Sequence, residues 1–175
     1  PFRAHIAAVA LAISFLATQA SADSERVLYA FVGHAHDGFY PTGGLIADRD
    51  GNLYGTTAYG GSAGAGTVFK LTPQGSETIL HNFTVGTDGI APFAALLRDE
   101  AGNLYGTTAS GGAHGDGTVF RIDPAGTETV LYAFAGGADG NGPIAELIAD
   151  ENGNRYGTTI EGGASGAGTV FKRAT

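Results

Sequence analysis

Three stretches of the 175-residue chain hold side chains that could do chemistry, and each has a competing structural use. His34-Ala35-His36-Asp37 sets two imidazoles two residues apart; on a strand they would face one way and could share a metal ion. The corresponding stretches of the later repeats described below carry no histidine, so a solvated loop is the better reading. Gly60-Gly61-Ser62-Ala63-Gly64 fits the G-x-S-x-G elbow of hydrolases, which needs a strand before the serine and a helix after it. Here the pattern falls between two strand-like runs, and the positions 51 and 102 residues on are Ala113 and Ala164. Asp48-Arg49-Asp50-Gly51-Asn52 and Asp150-Glu151-Asn152-Gly153-Asn154 begin like calcium loops, but the glycine comes one residue early and the distant bidentate Glu is missing. Tight turns explain the same residues, so no metal or cofactor site is expected.

The elements that position these residues come from a repeat. Asn52 to Phe69 reads N-L-Y-G-T-T-A-Y-G-G-S-A-G-A-G-T-V-F and returns nearly intact at Asn103 to Phe120 and Asn154 to Phe171. Tyr54, Tyr105 and Tyr156 are 51 residues apart, and a fixed period near 50 indicates stacked units. Three units are expected, at about residues 25–73, 74–124 and 125–173. Each shows four short strand-like runs bounded by turn residues: 26–31, 44–47, 52–57 and 66–71 in the first unit, 77–83, 94–97, 103–108 and 117–122 in the second, and 128–134, 145–149, 154–159 and 168–172 in the third. The fold class expected is therefore all-β, three four-stranded antiparallel units packed like propeller blades of the kelch size class. Three blades fall short of the four to eight that close a ring, so the array is open, truncated, or completed by another chain. Tyr54, Tyr105 and Tyr156 never change while the residue before them runs Leu53, Leu104, Arg155, which marks the Tyr side of the strand as the buried one.

In an up-and-down meander the long loops share one edge: 32–43 with 58–65, 84–93 with 109–116, and 135–144 with 160–167. The recurring Asp37-Gly38, Asp88-Gly89 and Asp139-Gly140, each followed by a proline, read as turn builders, because a single ligand site has no use for three copies. Residues that differ between units on this edge are the candidate ligand contacts: His34, His36, Tyr40, Tyr59, His114, Asp116, Asn141 and Glu161. No catalytic residue is assigned; His34, His36, Asp37 and Asp116 are the only pool from which an acid and a base could be drawn.

Composition narrows the class. With a formal net charge of −8 the chain is a poor partner for nucleic acid or anionic membrane, both of which need a positive footprint. It has no Cys, so packing alone must stabilise it, and thirty Gly suit many short strands and tight turns. Arg3, the apolar run Ile6 to Leu16 and Ala20-Ser21-Ala22 read as a secretory signal peptide over residues 1–22; the apolar run is too short to span a membrane. The first residue is Pro and the sequence holds no Met, as expected of a fragment.

The string L-Y-G-T-T-x-x-G-G-x-x-x-x-G-T-V-F, with D-G-x-x-P and a repeated L-[IL]-x-D-x-x-G-N, resembles the GloVer tandem repeat of the choice-of-anchor secreted proteins over residues 25–172, departing from it at Arg155. That resemblance implies an exported, often surface-attached, propeller-like protein of unassigned activity, usually with more than three repeats. The reading that follows is a secreted or cell-surface, non-catalytic binding module whose extracellular ligand is a glycan or a protein; the alternative is a propeller-type lyase or hydrolase acting on an extracellular polymer. An open set of three units leaves an apolar face at each end, so residues 23–175 are expected to self-associate. Export predicts a mature chain starting at Asp23. N-terminal sequencing of secreted material should read Asp-Ser-Glu, and material still carrying residues 2–22 would sink the assignment.

Overall fold

A computed structural model of the chain describes residues 25–33 and 37–175; the expected signal peptide, His34 and His36 lie outside them. Runs such as L-Y-G-T-T and T-V-F, rich in β-branched and aromatic side chains, suit a pleated surface buried on both faces, and every regular element among the described residues is a strand. A two-stranded ribbon pairs β1 (Gly38–Phe39) with β4 (Tyr59–Gly60). Sheet I joins β2 (Ile46–Ala47), β3 (Leu53–Thr57), β5 (Thr67–Leu71) and β6 (Glu77–Asn82) in that order. Sheet II repeats it with β7 (Leu97–Arg98), β8 (Leu104–Thr108), β9 (Thr118–Ile122) and β10 (Glu128–Ala133). Sheet III has three strands, β11 (Ile148–Ala149), β12 (Arg155–Thr159) and β13 (Thr169–Arg173). All strand pairs are antiparallel. Among the described residues no helix is long and apolar enough to cross a membrane.

The all-β expectation holds, but the sheets are offset from the sequence units by one strand. β6 and β10, expected to open the second and third units, pair with the last strand of the unit before, and residues 26–31 form no strand. The cause is local. Thr72 N–H donates to the Ser76 carbonyl and Gly75 N–H to that of Thr72, a turn that folds β6 straight back onto β5. The long segment after Phe83 leaves β6 no such tie to β7.

The sheets stack face to face. Tyr54, Val68, Ile46 and Leu80 of sheet I meet Leu104, Phe120 and Ile122 of sheet II, with Phe83 between them. Tyr105, Val119, Leu97 and Leu131 of sheet II meet Leu147 and Phe171 across the second junction, with Phe134 between. Three edge-to-face ring pairs sit at equivalent places, Phe31 on Phe69 at 5.2 Å and Phe83 on Phe120 and Phe134 on Phe171 at 5.0 Å. Val68 and Val119 are completely buried, whereas Val170, their equivalent, is 80% exposed, with no further sheet against it among the described residues.

That open face also corrects the expected burial of the tyrosine side. Tyr54 and Tyr105 are buried, but Tyr156 is only half-buried and it is Arg155 that is buried, pointing back towards sheet II with its guanidinium carbon 3.5 Å from the centre of the Tyr105 ring. Phe120→Ala should cost about 3–5 kcal/mol, as expected for a fully buried ring, and Phe171→Ala clearly less. Denaturant midpoints at unchanged slope measure both, and equal losses would contradict a linear stack.

Candidate functional site

Each of the three long loops holding an Asp-Gly pair is pinned to the strands that follow it by a glycine. A Cβ added at Gly38, Gly89 or Gly140 would lie 2.1, 2.2 or 2.7 Å from the hydroxyl oxygen of Thr57, Thr108 or Thr159. Those hydroxyls in turn share a 2.8 Å hydrogen bond with Thr67, Thr118 and Thr169 on the next strand. The aspartate before each glycine ties down the loop: Asp37 accepts from Val32 N–H and Gly38 N–H, Asp88 from Thr84 N–H and hydroxyl, Asp139 from Ala135 N–H and the Tyr132 hydroxyl. The turn-building reading of these Asp-Gly pairs therefore describes what they do.

Two residues further on, each loop takes a left-handed backbone: φ is 62° at Tyr40, 59° at Ala91 and 68° at Gly142. The twist aims each carbonyl at the other long loop, where it accepts from Ala58, Ala109 and Ile160 N–H. The result is a common backbone carrying different side chains. Unit one presents Phe39, Tyr40 and Tyr59, unit two Ile90, Ala91 and Ser110, unit three Asn141, Gly142 and Glu161.

In unit one these form an exposed aromatic group. The Phe39 and Tyr59 rings lie 5.5 Å apart and 29° from parallel, Tyr40 stands at 87° to Tyr59 at 5.7 Å, and Phe93 meets Tyr59 edge-on at 6.2 Å. Tyr40 is 62% exposed, although a non-glycine residue at positive φ is strained by about 1–3 kcal/mol. Of the candidate contacts, the structure thus brings Tyr40 and Tyr59 together. It pairs Asn141 Nδ2 with Glu161 Oε2 at 3.2 Å and sets the Asp116 carbonyl to accept from Gly142 N–H beside them, while His114 is exposed on its own loop. Phe39 and Phe93 were missed by the sequence reading; both differ between units, at Phe39, Ile90, Asn141 and at Thr42, Phe93, Ile144.

The other motifs resolve into structure. Ser62 follows β4 and its N–H donates to the Asn82 side chain; no helix follows it, so the elbow of a hydrolase is not formed. The carboxylates of Asp48, Asp99 and Asp150 accept from the backbone and side-chain amides of Asn52, Asn103 and Asn154 and from the hydroxyls of Tyr54, Tyr105 and Tyr156. Those bonds, the Asn52 side-chain amide first, hold the Asp48 carboxyl down to about 2. Among the described residues no group of three or more His, Asp and Glu is arranged to hold a metal ion.

One titratable group lies at the junction of sheets I and II. His81 Nε2 is 3.4 Å from Asp88 Oδ2 without meeting hydrogen-bond geometry, and burial pushes its imidazole below the usual value. Burial, then the nearby charge of Asp88, raise Glu128 to about 7. The same arrangement occurs one repeat earlier in Tyr29, Asp37 and Glu77, where the Tyr29 hydroxyl donates to Glu77 at 2.9 Å and burial, then Glu77, push Tyr29 up to about 12.

The sequence model of the Gloeobacter/Verrucomicrobia repeat matches residues 15–175. The chain belongs to that repeat family. No curated protein matches it. Among solved structures, the X-ray structure of a presumed gluconolactonase is similar at 17% identity and a TM-score of 0.42, over 75% of this chain and 48% of that one. The chain therefore spans about half the length of that protein.

A carboxyl raised in the folded state supports folding below its unfolded value and loses that contribution as pH rises through the folded one. For Glu128 the window runs from 4.5 to about 7. His81, held low, runs the other way, so the readout is a difference. Glu128→Gln should be as stable as the parent at pH 4 and more stable at pH 8; parallel stability curves from pH 4 to 8 would refute the assignment.

Proposed function

We propose that the protein is an exported, non-catalytic binding module built on a propeller-like stack, and that the aromatic group of Phe39, Tyr40, Tyr59 and Phe93 is its contact platform for a neutral glycan. The observation that carries the reading is Tyr40. A position that Gly142 fills without strain in unit three carries, in unit one, a large exposed ring among three others. Folding gives no reason for that choice, whereas a corner of near-perpendicular rings offers π faces to the C–H face of a sugar ring. The tyrosine hydroxyls add donors and acceptors beside it. Acidic polymers are disfavoured by the net charge of −8. The signal-peptide pattern at residues 1–22 supports export, and the repeated junctions with all long loops on one edge support the propeller-like arrangement.

The junction group of His81, Asp88 and Glu128 is read as part of the sheet packing, because its carboxyl pair recurs as Asp37 with Glu77. Titration calorimetry against neutral and acidic oligosaccharides tests the platform. Neutral oligomers should bind, and Tyr59→Ala should weaken them about tenfold, the scale of one lost stacking contact of about 1–1.5 kcal/mol. Tyr40→Gly should weaken them similarly while leaving the denaturant midpoint unchanged or higher, since glycine is unstrained there. Binding unaffected by both substitutions would overturn the proposal, as would no neutral oligomer binding at all.

A further inference from the structure

The left-handed residue of each later loop is bonded in two directions. The Ala91 carbonyl accepts from Ala109 N–H in its own unit, while Ala91 N–H donates at 2.9 Å to the Ala65 carbonyl of unit one. Gly142 makes both bonds again, its carbonyl accepting from Ile160 N–H and its N–H donating at 3.1 Å to the Asp116 carbonyl of unit two. Asp116 is 51 residues on from Ala65, so the two ties are equivalent. A second tie runs beside each, from the Thr56 hydroxyl to the Ala94 carbonyl at 2.9 Å and from the Thr107 hydroxyl to the Ala145 carbonyl at 3.3 Å. The three loop frames are therefore locked to one another in a row along the long-loop edge. Sheets stacked about 10 Å apart make that row on the order of 20 Å long from unit one to unit three.

What the row carries changes along it. Unit one holds the rings of Phe39, Tyr40 and Tyr59, and Phe93 reaches Tyr59 from the loop of unit two, so the apolar surface crosses the first boundary. In unit two the floor is low: Ala91 stands where unit one has Tyr40, and Ser110 where it has Tyr59. Ile144, 51 residues on from Phe93, is 42% exposed at the equivalent place on the second boundary. Unit three sets Asn141 opposite Glu161. The Asn141 amide nitrogen donates to Glu161 Oε2, which leaves the amide oxygen and Glu161 Oε1 without a hydrogen-bond donor among the described residues. Phe39 and Tyr59, at the positions of Asn141 and Glu161, stay 38% and 39% exposed with unit two packed beside them, so an outward side chain belongs to these positions whatever lies next to them.

We propose that the ligand is an internal stretch of a neutral polysaccharide lying along this row, stacked on the rings of unit one and hydrogen-bonded through its hydroxyls to Asn141 and Glu161 of unit three. The inference rests on the aromatic platform of unit one and adds to it a second contact and a minimum ligand length. Two free acceptors call for donors, which the hydroxyls of an unsubstituted sugar supply, and the Glu161 carboxylate repels acidic sugars at the same place. The low floor of unit two gives the chain a passage between the contacts. Because both contacts sit on one rigid row, the second is an intramolecular event once the first is made, and its contribution adds to the first.

Calorimetry of the full chain against homologous neutral oligosaccharides of glucan, xylan and mannan type, from disaccharide to octasaccharide, tests the inference. A disaccharide covers one contact and an octasaccharide reaches both. In the series that binds, the octasaccharide should therefore bind at least about tenfold more tightly, the scale of one hydrogen bond to a charged acceptor. Asn141→Ala combined with Glu161→Ala should bring the long-to-short ratio close to one. These two side chains bond to each other, and an unchanged unfolding midpoint shows that the variant is folded. Equal affinity for short and long oligomers of the parent would overturn the inference while leaving the platform standing. So would a ratio that survives the double substitution, as a merely statistical gain from extra binding registers does. Failure of every neutral oligomer to bind would remove the platform reading and this inference with it.

Discussion

The contact on which the long-loop edge depends is the seat of a glycine Cα on a threonine hydroxyl, made three times at Gly38, Gly89 and Gly140. A threonine pair linked at 2.8 Å across adjacent strands is rigid, since both side chains are β-branched and both hydroxyls are satisfied within the sheet. Backbone can come that close only where there is no Cβ. The loop that follows is therefore fixed in height and direction before its variable residues begin, and its left-handed turn two residues later aims the same carbonyl at the same amide in each unit. Side chains placed on so constrained a backbone can vary freely without moving it.

That separation of scaffold from contents explains why Tyr40 and Ala91 tolerate a conformation glycine would occupy without strain. A strain of about 1–3 kcal/mol is sustained when the surrounding bonds over-determine the loop, and here they do. The aromatic group in unit one and the polar pair of Asn141 and Glu161 in unit three are thus alternatives on one frame, not separate sites with separate folds.

The repeat period made the strands, tight turns and long-loop edge legible in the sequence, because each depends on local residues: T-V-F runs, Asp-x-x-Gly-Asn turns and Asp-Gly loops. What the sequence hid was partnership. β6 follows Pro73-Gln74-Gly75 and looks like the start of a unit, but a hairpin turn binds it to β5 and only its face reaches the next sheet. The series Leu53, Leu104, Arg155 marks the tyrosine side as the buried one, whereas the flat guanidinium of Arg155 is buried and stacks on Tyr105 in the junction. Tyr40 and Tyr59 were visible as positions that change between units. Phe39 and Phe93 satisfy the same test; the ribbon of β1 with β4 sets Phe39 beside Tyr59, and the half-buried Phe93 meets that ring edge-on.

The acidic composition has a structural meaning that net charge alone conceals. Asp48, Asp99 and Asp150 brace the tight turns, Asp37, Asp88 and Asp139 brace the long loops, and Asp123 accepts from Ala125 and Thr127 N–H in the turn before β10. A carboxylate saturated by internal donors has little capacity left for a cation or a basic partner. The chain is acidic because a glycine-rich fold of short strands exposes many turn amides, and aspartate is a short side chain that can accept two of them at once. Its charge therefore repels polyanions at long range, while the few side chains the turns do not use, the rings of unit one among them, stay outside these hydrogen-bond networks.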